Sequence, residues 1–362
     1  MITVANPFTP TFGMVPTIYL PSQISAKAIA DQLMERPQYP DTYLISGVRG
    51  SGKTALMMRI RELVTACSKK SIPIKLVHTH DQDLVTQLAE LLQVALSSSP
   101  SRLLSRITSV SVGGVGFSRS STEKNDDQLR VRALLERAKQ HGQFILLTID
   151  EVSNTAAIRD FVAAYNVWHN LNLPLKIIMT GLPENVLAIQ EADNLTFFLR
   201  ATEVITSPLK EVDMATAYAK ILNIPFERGL KMAHLVEGYS FGFQLLGDLA
   251  YRMTEQDAPI DDDFLAQILP SFKKLLFRQA YQTIYKTGSD RDRQYLRAIN
   301  GRKKTSEAME IMGASKNVVA KCRQRALERK LVQKDGYGYV IYSLPYFDEF
   351  IQQVTDEEEG FI

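Results

Sequence analysis

The chain of 362 residues is longer than one ordinary domain, so we expect two or three domains, each large enough to bury a core. A hydrophobic content of 45% and a charged content of 23% are typical of globular proteins. The formal net charge of +2 is nearly balanced, so any charged binding surface has to be sought in a local segment.

Membrane and secreted classes do not fit the sequence. No apolar run approaches the roughly 18–20 residues that a membrane span needs. The N-terminal stretch MITVANPFTPTFG lacks the basic start and apolar run of a signal peptide. Cys67 and Cys322, the two cysteines, lie far apart, which suits a reducing compartment and argues against a disulfide framework. We therefore expect a cytoplasmic protein with no membrane association.

Predicted strands and helices alternate up to about residue 210. The first 40 residues, rich in proline, threonine and tyrosine, are predicted to be irregular. Strands are predicted at TYLIS (42–46), IPIKLVHTH (72–80), FILLTIDE (144–151), LPLKIIMTG (173–181) and TEVITSPL (202–209), with helices between them and a hairpin inserted at 107–121. Apolar strands that alternate with helices predict an α/β fold with a parallel sheet covered on both faces. From about Glu211 to Lys286 the patterns are helical.

The stretch GVRGSGKT at 47–54 matches the phosphate-binding pattern G-x-x-x-x-G-K-[ST] and lies between a predicted strand and a predicted helix. Backbone N–H groups of such a loop wrap phosphates, Lys53 reaches the β- and γ-phosphates, and the Thr54 hydroxyl holds Mg²⁺. The predicted nucleotide contacts are Gly47, Val48, Arg49, Gly50, Ser51, Gly52, Lys53, Thr54 and Ala55. The alternative, a glycine-rich turn at a helix start, leaves the Lys-Thr pair unexplained.

Two acidic residues end the strand FILLTIDE. If this strand lies beside the loop strand, Asp150 can join Thr54 in the Mg²⁺ shell. Glu151 can then orient and deprotonate an attacking water. An Asp-Glu pair favours ATP hydrolysis over a small GTPase, and the sequence has no N-K-x-D stretch for guanine. ATP and Mg²⁺ are therefore the predicted cofactors, although an acid pair can also simply end a strand.

These motifs, in this order, resemble the AAA+ ATPases, specifically the initiator-like, archaeal-type branch that neighbours the STAND proteins. The resemblance covers nearly the whole chain and implies a P-loop base at 1–210, a helical lid at 211–287 and a winged-helix domain with an acidic tail at 288–362. In it, NPFTPTFGMVP (6–16) corresponds to a segment laid against adenine, and Thr180 in KIIMTG takes the polar sensor-1 position. Arg200 stands where the family carries an arginine finger for a neighbouring subunit, although a charge at a helix end explains it too.

Two stretches depart from the family pattern. TIYLPSQ (17–23) stands where a Gly-Arg-Glu-like start of the first helix is common, which puts the adenine contacts in doubt. EGYSFGFQLLGDLAYRM (237–253) resembles the sensor-2 helix, but Phe243 or Gln244 replaces the expected arginine and Arg252 follows two turns later. Coupling between nucleotide and lid is therefore expected to be weaker than in members that keep the arginine.

The C-terminal module, residues 288–362, reads as three helices followed by a strand, a glycine-rich turn and a strand, which predicts a winged helix. Between residues 301 and 334 ten basic residues stand against three acidic ones. The candidate contacts to double-stranded DNA are Lys316, Lys321, Arg323 and Arg325, with Tyr337 and Tyr339 at the hairpin tip. A basic helix face is also often simply solvated, and winged helices also serve as packing modules.

Three functions remain open at this point. The first is an ATP-driven, DNA-associated switch. The second is a STAND-like signalling or defence ATPase whose winged helix packs on the core or binds a protein partner. The third is a nucleotide-stabilised scaffold without turnover, against which the Asp150–Glu151 pair argues. A homo-oligomer is indicated by Arg200 alone.

Overall fold

The computed structural model of the protein describes residues 6–11, 16–21, 24–35, 41–78, 83–97, 121–191, 201–254 and 260–360. The chain divides into two compact units. We call Ser25–Ser46 with Lys53–Ile205 the sheet unit, and Met1–Ile24, Gly47–Gly52 and Thr206–Ile362 the loop–lid unit.

The sheet unit contains five parallel strands in the order β2–β3–β4–β1–β5. The strands are β1 (Thr42–Ser46), β2 (Ser71–Leu76), β3 (Phe144–Val152), β4 (Leu175–Gly181) and β5 (Thr202–Ile205). The helices are α1 (Ala26–Met34), α2 (Lys53–Cys67), α3 (Leu84–Leu96), α4 (Ser121–Gln140), α5 (Ala156–Asn170) and α6 (Pro183–Gln190). β1 and β4 are buried along their whole length, because helices cover both faces of a parallel sheet. The predicted α/β sheet is confirmed.

Helix α1 corrects the prediction that the first 40 residues are irregular. Ser25 caps its start by accepting a hydrogen bond from the Ala28 amide at 3.2 Å. Ile29, Ala30 and Leu33 are buried at helical spacing, a short apolar pattern that the surrounding prolines obscured. Farther on, α4 already begins at Ser121, the last residue of the predicted hairpin at 107–121, and the rest of that hairpin lies outside the described residues.

The loop–lid unit is mainly helical. Its helices are α7 (Glu211–Leu222), α8 (Phe226–Val236), α9 (Ser240–Thr254), α10 (Asp262–Leu276), a π-helix (Phe277–Tyr281), α11 (Gln282–Lys286), α12 (Asp290–Ala298), α13 (Thr305–Met312), α14 (Lys316–Glu328) and α15 (Phe347–Glu359). Strands β6 (Val332–Lys334) and β7 (Val340–Tyr342) form an antiparallel hairpin. In the described part of the chain, no helix is both long and apolar enough to cross a membrane.

One hydrophobic core runs through the lid helices and the C-terminal module. Tyr281 of the π-helix lies with its ring centroid 5.1 Å from that of Phe347 and 5.8 Å from that of Phe350, both on α15. Its hydroxyl donates to the Pro345 carbonyl at 2.7 Å. Helix α15 was not predicted, because the acidic residues at its end obscure an apolar pattern at Phe347, Phe350 and Ile351.

Candidate functional site

The sheet unit brings together four polar residues, Thr54, Asp150, Glu151 and Thr180, which we call the carboxylate corner. Thr54 lies in the first turn of α2, and its hydroxyl donates to Asp150 Oδ2 at 2.9 Å. Hydroxyl and carboxylate oxygens are the hard ligands that Mg²⁺ accepts. The donor pair therefore fits the predicted metal ion, with Thr54 and Asp150 as the residues that would hold it.

The sequence interpretation placed the strand that carries Asp150 beside the loop strand. In the structure these two strands, β3 and β1, are not neighbours. Strand β4 lies between β1 and β3 in the sheet. Thr54 reaches Asp150 because α2 starts beyond the carboxyl end of β1, at the same sheet edge where β3 and β4 end. The intervening β4 supplies Thr180 to the same corner.

A β-bulge shapes the carboxylate corner. Ile149 pairs with Met179 and Val152 with Gly181, so that Asp150 and Glu151 together stand opposite Thr180. Glu151 has φ of +53°, a left-handed conformation that costs energy for a residue other than glycine. Bulges and left-handed residues of this kind often lie next to functional sites, where they redirect a side chain.

Hydrogen bonds fix Asp150 and leave Glu151 exposed. The buried Thr180 hydroxyl donates to Asp150 Oδ1 and accepts from the Glu151 amide at 3.2 Å. The Glu151 amide also donates to Asp150 Oδ1 at 3.1 Å. Only the backbone of Glu151 takes part in these bonds, and its side chain is exposed. The corner thus presents one oriented carboxylate and one accessible to water.

The glycine loop, Gly47–Gly52, belongs to the loop–lid unit. Gly50 and Gly52 have φ of +79° and +89°, where a side chain would be strained. A Cβ at Gly47 would lie 1.9 Å from the Thr206 hydroxyl oxygen, so this position has no room for one. Ser51 donates its amide to the Val48 carbonyl at 3.2 Å and shares a 2.7 Å hydroxyl contact with Thr206. Lys53, Thr54 and Ala55 follow in the sequence as the start of α2.

Three residues of the lid contact the glycine loop, and these contacts were not predicted from the sequence. Tyr239 donates its hydroxyl to the Arg49 carbonyl at 2.7 Å. The Phe241 amide donates to the Gly50 carbonyl at 3.0 Å, and the Ser240 hydroxyl donates to the Ser51 carbonyl at 3.3 Å. Nothing in the local sequence signals these contacts, since Tyr239 and Arg49 are 190 residues apart.

The residues at the predicted sensor-2 position have other partners. Phe243 is buried, with its ring centroid 5.7 Å from that of Phe8 and 4.7 Å from that of Tyr218. Gln244 accepts from the Thr9 amide at 2.9 Å and donates to the Ile18 carbonyl at 3.0 Å. Gln244 thus holds the N-terminal segment against α9.

Asp248 is a second anchor between α9 and the N-terminal segment. It accepts a hydrogen bond from the side-chain Nδ2 of Asn6 at 2.8 Å. It also forms an ion pair with Arg252 at 3.0 Å, so Arg252 is engaged on α9 itself. Arg200, predicted as an arginine finger, lies outside the described residues.

The four predicted DNA contacts on α14 differ in their surroundings. Lys316 and Lys321 are exposed. Arg323 is half-buried, and its Nε has no hydrogen-bond partner among the described residues. Arg325 donates from Nε to Asp292 on α12 at 2.7 Å. Lys316 and Lys321 are therefore exposed to solvent, whereas Arg325 contributes to packing between α12 and α14.

The ion pair between Asp292 and Arg325 shifts the pKa of both side chains. Burial alone would raise the pKa of Asp292, but hydrogen bonds from Arg325 and Ser289 and the Arg325 charge outweigh it and lower this pKa. The hydrogen bond that Arg325 donates to Asp292 correspondingly raises the pKa of Arg325. Both groups stay charged at neutral pH.

The hairpin tip is the most exposed aromatic feature of the described C-terminal module. Tyr337 is 100% exposed between β6 and β7. Beside it, Arg302 lies over the ring of Tyr339 at 4.8 Å and Lys304 at 5.5 Å. Helices α12, α13 and α14 precede the β6–β7 hairpin, which is the element order predicted for this module.

Comparison with solved structures identifies the fold. The Aeropyrum pernix ORC2 protein, in its ADPNP–ADP complexes, gives a TM-score of 0.60 at 11% sequence identity, covering 92% of this chain and 94% of that chain. The Aeropyrum pernix ORC1 protein in complex with DNA gives a TM-score of 0.50 at 14% identity, covering 98% of this chain and 97% of that chain. The chain has the AAA+ P-loop NTPase fold. The predicted fold class is confirmed, and at these identities the likeness extends to the fold alone.

Sequence comparisons add one match. A family model described as a domain of unknown function (DUF8462) matches residues 278–351. The match begins within the π-helix and ends within α15, so it covers most of the predicted winged-helix domain at 288–362 together with part of the aromatic core described above. The comparison with curated proteins found no match.

Proposed function

We propose that the protein binds and hydrolyses ATP and acts as a nucleotide-dependent switch associated with double-stranded DNA. The observation that carries this proposal is the carboxylate corner. The threonine of a phosphate-loop motif donates to an aspartate that a second threonine orients, and the next residue is an exposed glutamate on a bulge. A structural acid pair at a strand end needs neither the bulge nor the strained Glu151.

Each residue of the site has a distinct role in this proposal. Amides of the glycine loop and Lys53 bind the phosphates, and Thr54 and Asp150 hold Mg²⁺. Bound Mg²⁺ supplies positive charge that stabilises the phosphate oxygens. Glu151 orients a water and takes its proton, while Thr180 keeps Asp150 in place. Arg200 is proposed to serve the nucleotide of a neighbouring subunit in a homo-oligomer.

Association with DNA rests on the C-terminal module. Exposed Lys316 and Lys321 lie at the start and middle of α14, where a recognition helix of a winged-helix domain contacts DNA. The exposed Tyr337 extends the same module at its hairpin. One structure of the same fold, that of Aeropyrum pernix ORC1, is a complex with DNA, and another, of ORC2, holds ADPNP and ADP.

Measuring ATP hydrolysis with and without duplex DNA tests the proposal. We expect turnover by the wild-type protein that rises when DNA is added. Glu151→Gln should reduce turnover at least ~100-fold, because it removes the general base. The backbone bonds of Glu151 stay intact in this variant, so ATP binding should persist.

Glu90→Gln is the matched control, because Glu90 is an exposed glutamate on α3 and is not one of the residues of the carboxylate corner. It should hydrolyse ATP at the wild-type rate. Equal hydrolysis by the Glu151→Gln protein would overturn the assigned role. The DNA-associated part of the proposal would be wrong if two results were found together. These are an ATP turnover that does not change when DNA is added, and unchanged DNA binding by a Lys316→Glu, Lys321→Glu double variant.

The second candidate is a STAND-like ATPase whose C-terminal module packs on the lid instead of binding DNA. The shared core between Tyr281, Phe347 and Phe350 favours it, since the module there is packed rather than merely tethered. This candidate predicts nucleotide that co-purifies with the protein, very slow turnover and no DNA binding.

A further inference from the structure

Tyr239 and the first two residues of helix α9 hold three consecutive peptide groups of the glycine loop. The carbonyls of Arg49, Gly50 and Ser51 accept hydrogen bonds from Tyr239 Oη, Phe241 N and Ser240 Oγ, respectively. The three donors are themselves consecutive in sequence. Three consecutive donors that bind three consecutive carbonyls distinguish this contact from a single incidental hydrogen bond.

Fixing a carbonyl also fixes the amide of the next residue. A peptide unit is planar and trans, so its C=O and N–H groups point in opposite directions. The three bonded carbonyls therefore direct the amides of Gly50, Ser51 and Gly52 away from the lid donors. Ser51 uses its amide to close the turn to Val48, so the orienting effect is available chiefly at Gly50 and Gly52.

The glycine loop and α9 stabilise each other. The first amides of a helix have no acceptor within the helix and need one from outside. The Gly50 carbonyl supplies it for Phe241, the second residue of α9. A Cβ at Gly50 would lie 2.3 Å from Tyr239 Oη and 2.9 Å from Phe241 Cβ, so the two segments approach too closely for any side chain at Gly50.

Tyr239 is well suited to hold the loop. Its ring is buried and lies 6.2 Å from the ring of Tyr281, centroid to centroid, which ties it to the aromatic core of the lid. Burial raises the pKa of the Tyr239 hydroxyl, with a smaller opposing effect from the Arg49 charge, so the phenol remains protonated and donates. It is therefore a fixed donor rather than a surface group that changes partners.

We propose that Tyr239, Ser240 and Phe241 form a clamp that positions the phosphate-binding amides of the glycine loop from the lid. The inference rests on the proposed nucleotide binding and names Tyr239 as a positioning residue rather than a catalytic one. The clamp contacts the backbone of the loop directly. Gln244 and Arg252, in contrast, bond to Ile18 and Asp248.

The test compares two buried tyrosines of the lid. Tyr239→Phe removes only the hydroxyl on the Arg49 carbonyl. Tyr218→Phe is the matched control, because the Tyr218 hydroxyl is also buried and donates to a backbone carbonyl at 2.8 Å, but that carbonyl belongs to Phe243. Equilibrium affinity for ADP and the melting temperature are measured for both variants.

We expect Tyr239→Phe to weaken ADP binding roughly 5- to 30-fold, in line with the loss of a buried hydrogen bond. The control should keep wild-type affinity, with a melting temperature lowered at least as much as in Tyr239→Phe. With ATP, the variant should show a raised KM at nearly unchanged kcat, because the amides bind phosphate equally in ground and transition states. Ser240→Ala should show the same pattern with a smaller effect and provides the test if Tyr239→Phe folds poorly.

The outcomes separate this inference from the proposed function. If the wild-type protein binds ADP and both clamp variants bind it equally well, the clamp is wrong and nucleotide binding stands. If the affinity loss is the same for Tyr218→Phe as for Tyr239→Phe, the effect is general destabilisation, which also overturns the clamp. If the wild-type protein binds no nucleotide, the proposed function and the clamp fail together.

Discussion

The carboxylate corner and the glycine loop achieve order in different ways. In the corner, the motif residues hold one another, since Thr54, Thr180 and the Glu151 amide all converge on Asp150. In the loop, the motif residues are held from outside, by Tyr239, Ser240 and Phe241 of the lid. A motif can therefore be recognised in sequence while the residues that set its geometry lie far along the chain.

The largest expected effect is a loss of stability when a phenylalanine is removed from the core of either unit. Phe350→Ala should destabilise the loop–lid unit by about 3–5 kcal/mol, because it opens a cavity in the aromatic core. Hydrogen exchange should then rise in the glycine loop and the first turn of α9. Phe161→Ala, a buried residue of the sheet unit, is the matched change and should raise exchange in β3 and β4 instead. Faster exchange in both regions of both variants would remove the distinction.

Gly50→Ala tests how tightly the clamp approaches the loop. The variant combines a left-handed strain of about 1–2 kcal/mol with a clash against Tyr239, so we expect ADP affinity to fall about 100-fold. Gly142→Ala controls for the backbone strain, since Gly142 has φ of +65° and nothing lies within 4 Å of its added Cβ. Wild-type ADP affinity in Gly50→Ala, measured by calorimetry, would show that the loop does not need this close contact.

Thr180→Val tests whether the hydrogen bond from Thr180 to Asp150 orders the carboxylate corner. The variant keeps the shape of the side chain but removes the hydroxyl that orients Asp150. Loss of such an orienting group typically costs 10–100-fold in metal affinity or activity, and we expect roughly that loss in Mg²⁺-dependent ATP turnover. Thr148→Val, which changes a buried threonine two residues before Asp150 on β3, should have little effect on turnover. Equal losses in the two variants would point to sheet packing instead.

The smallest effect concerns Asp292 and Arg325 on the C-terminal module. Because the pKa of Asp292 is lowered below its ordinary value of 3.8 in the folded protein, its charge stabilises the fold above that value, and the contribution disappears as the pH falls through the folded pKa. Asp292→Asn should therefore cost about 1 kcal/mol at neutral pH and progressively less in acid. Urea unfolding at several pH values checks this, and a constant difference would contradict it.

The sequence predicted those parts of the molecule whose signal is local. The loop motif, the apolar strands and the acidic strand end lie within a few residues of one another, and the structure has the parallel sheet they predict. Contacts that depend on chain folding were not predictable in the same way. The placement of β4 between β1 and β3 and the contact of Tyr239 with Arg49 arise from tertiary packing.

Two elements were missed for a different reason, because a local composition concealed their pattern. Helix α1 lies among prolines, and α15 ends in a run of acids, yet each has buried residues at helical spacing. The bulge at Asp150 and Glu151 leaves no sequence signal beyond the acid pair itself. Its left-handed Glu151 follows from the pairing of β3 with β4.

The dependence of ATP affinity on Mg²⁺ tests the central claim most directly. The dissociation constant for ATP would be measured with Mg²⁺ and with EDTA, for the wild-type protein and for Asp150→Asn. The proposed site predicts that Mg²⁺ tightens ATP binding by the wild-type protein, that this gain disappears in Asp150→Asn, and that metal-free affinity is the same in both. An equal gain from Mg²⁺ in both proteins would contradict the assignment of Thr54 and Asp150 as the metal-holding pair.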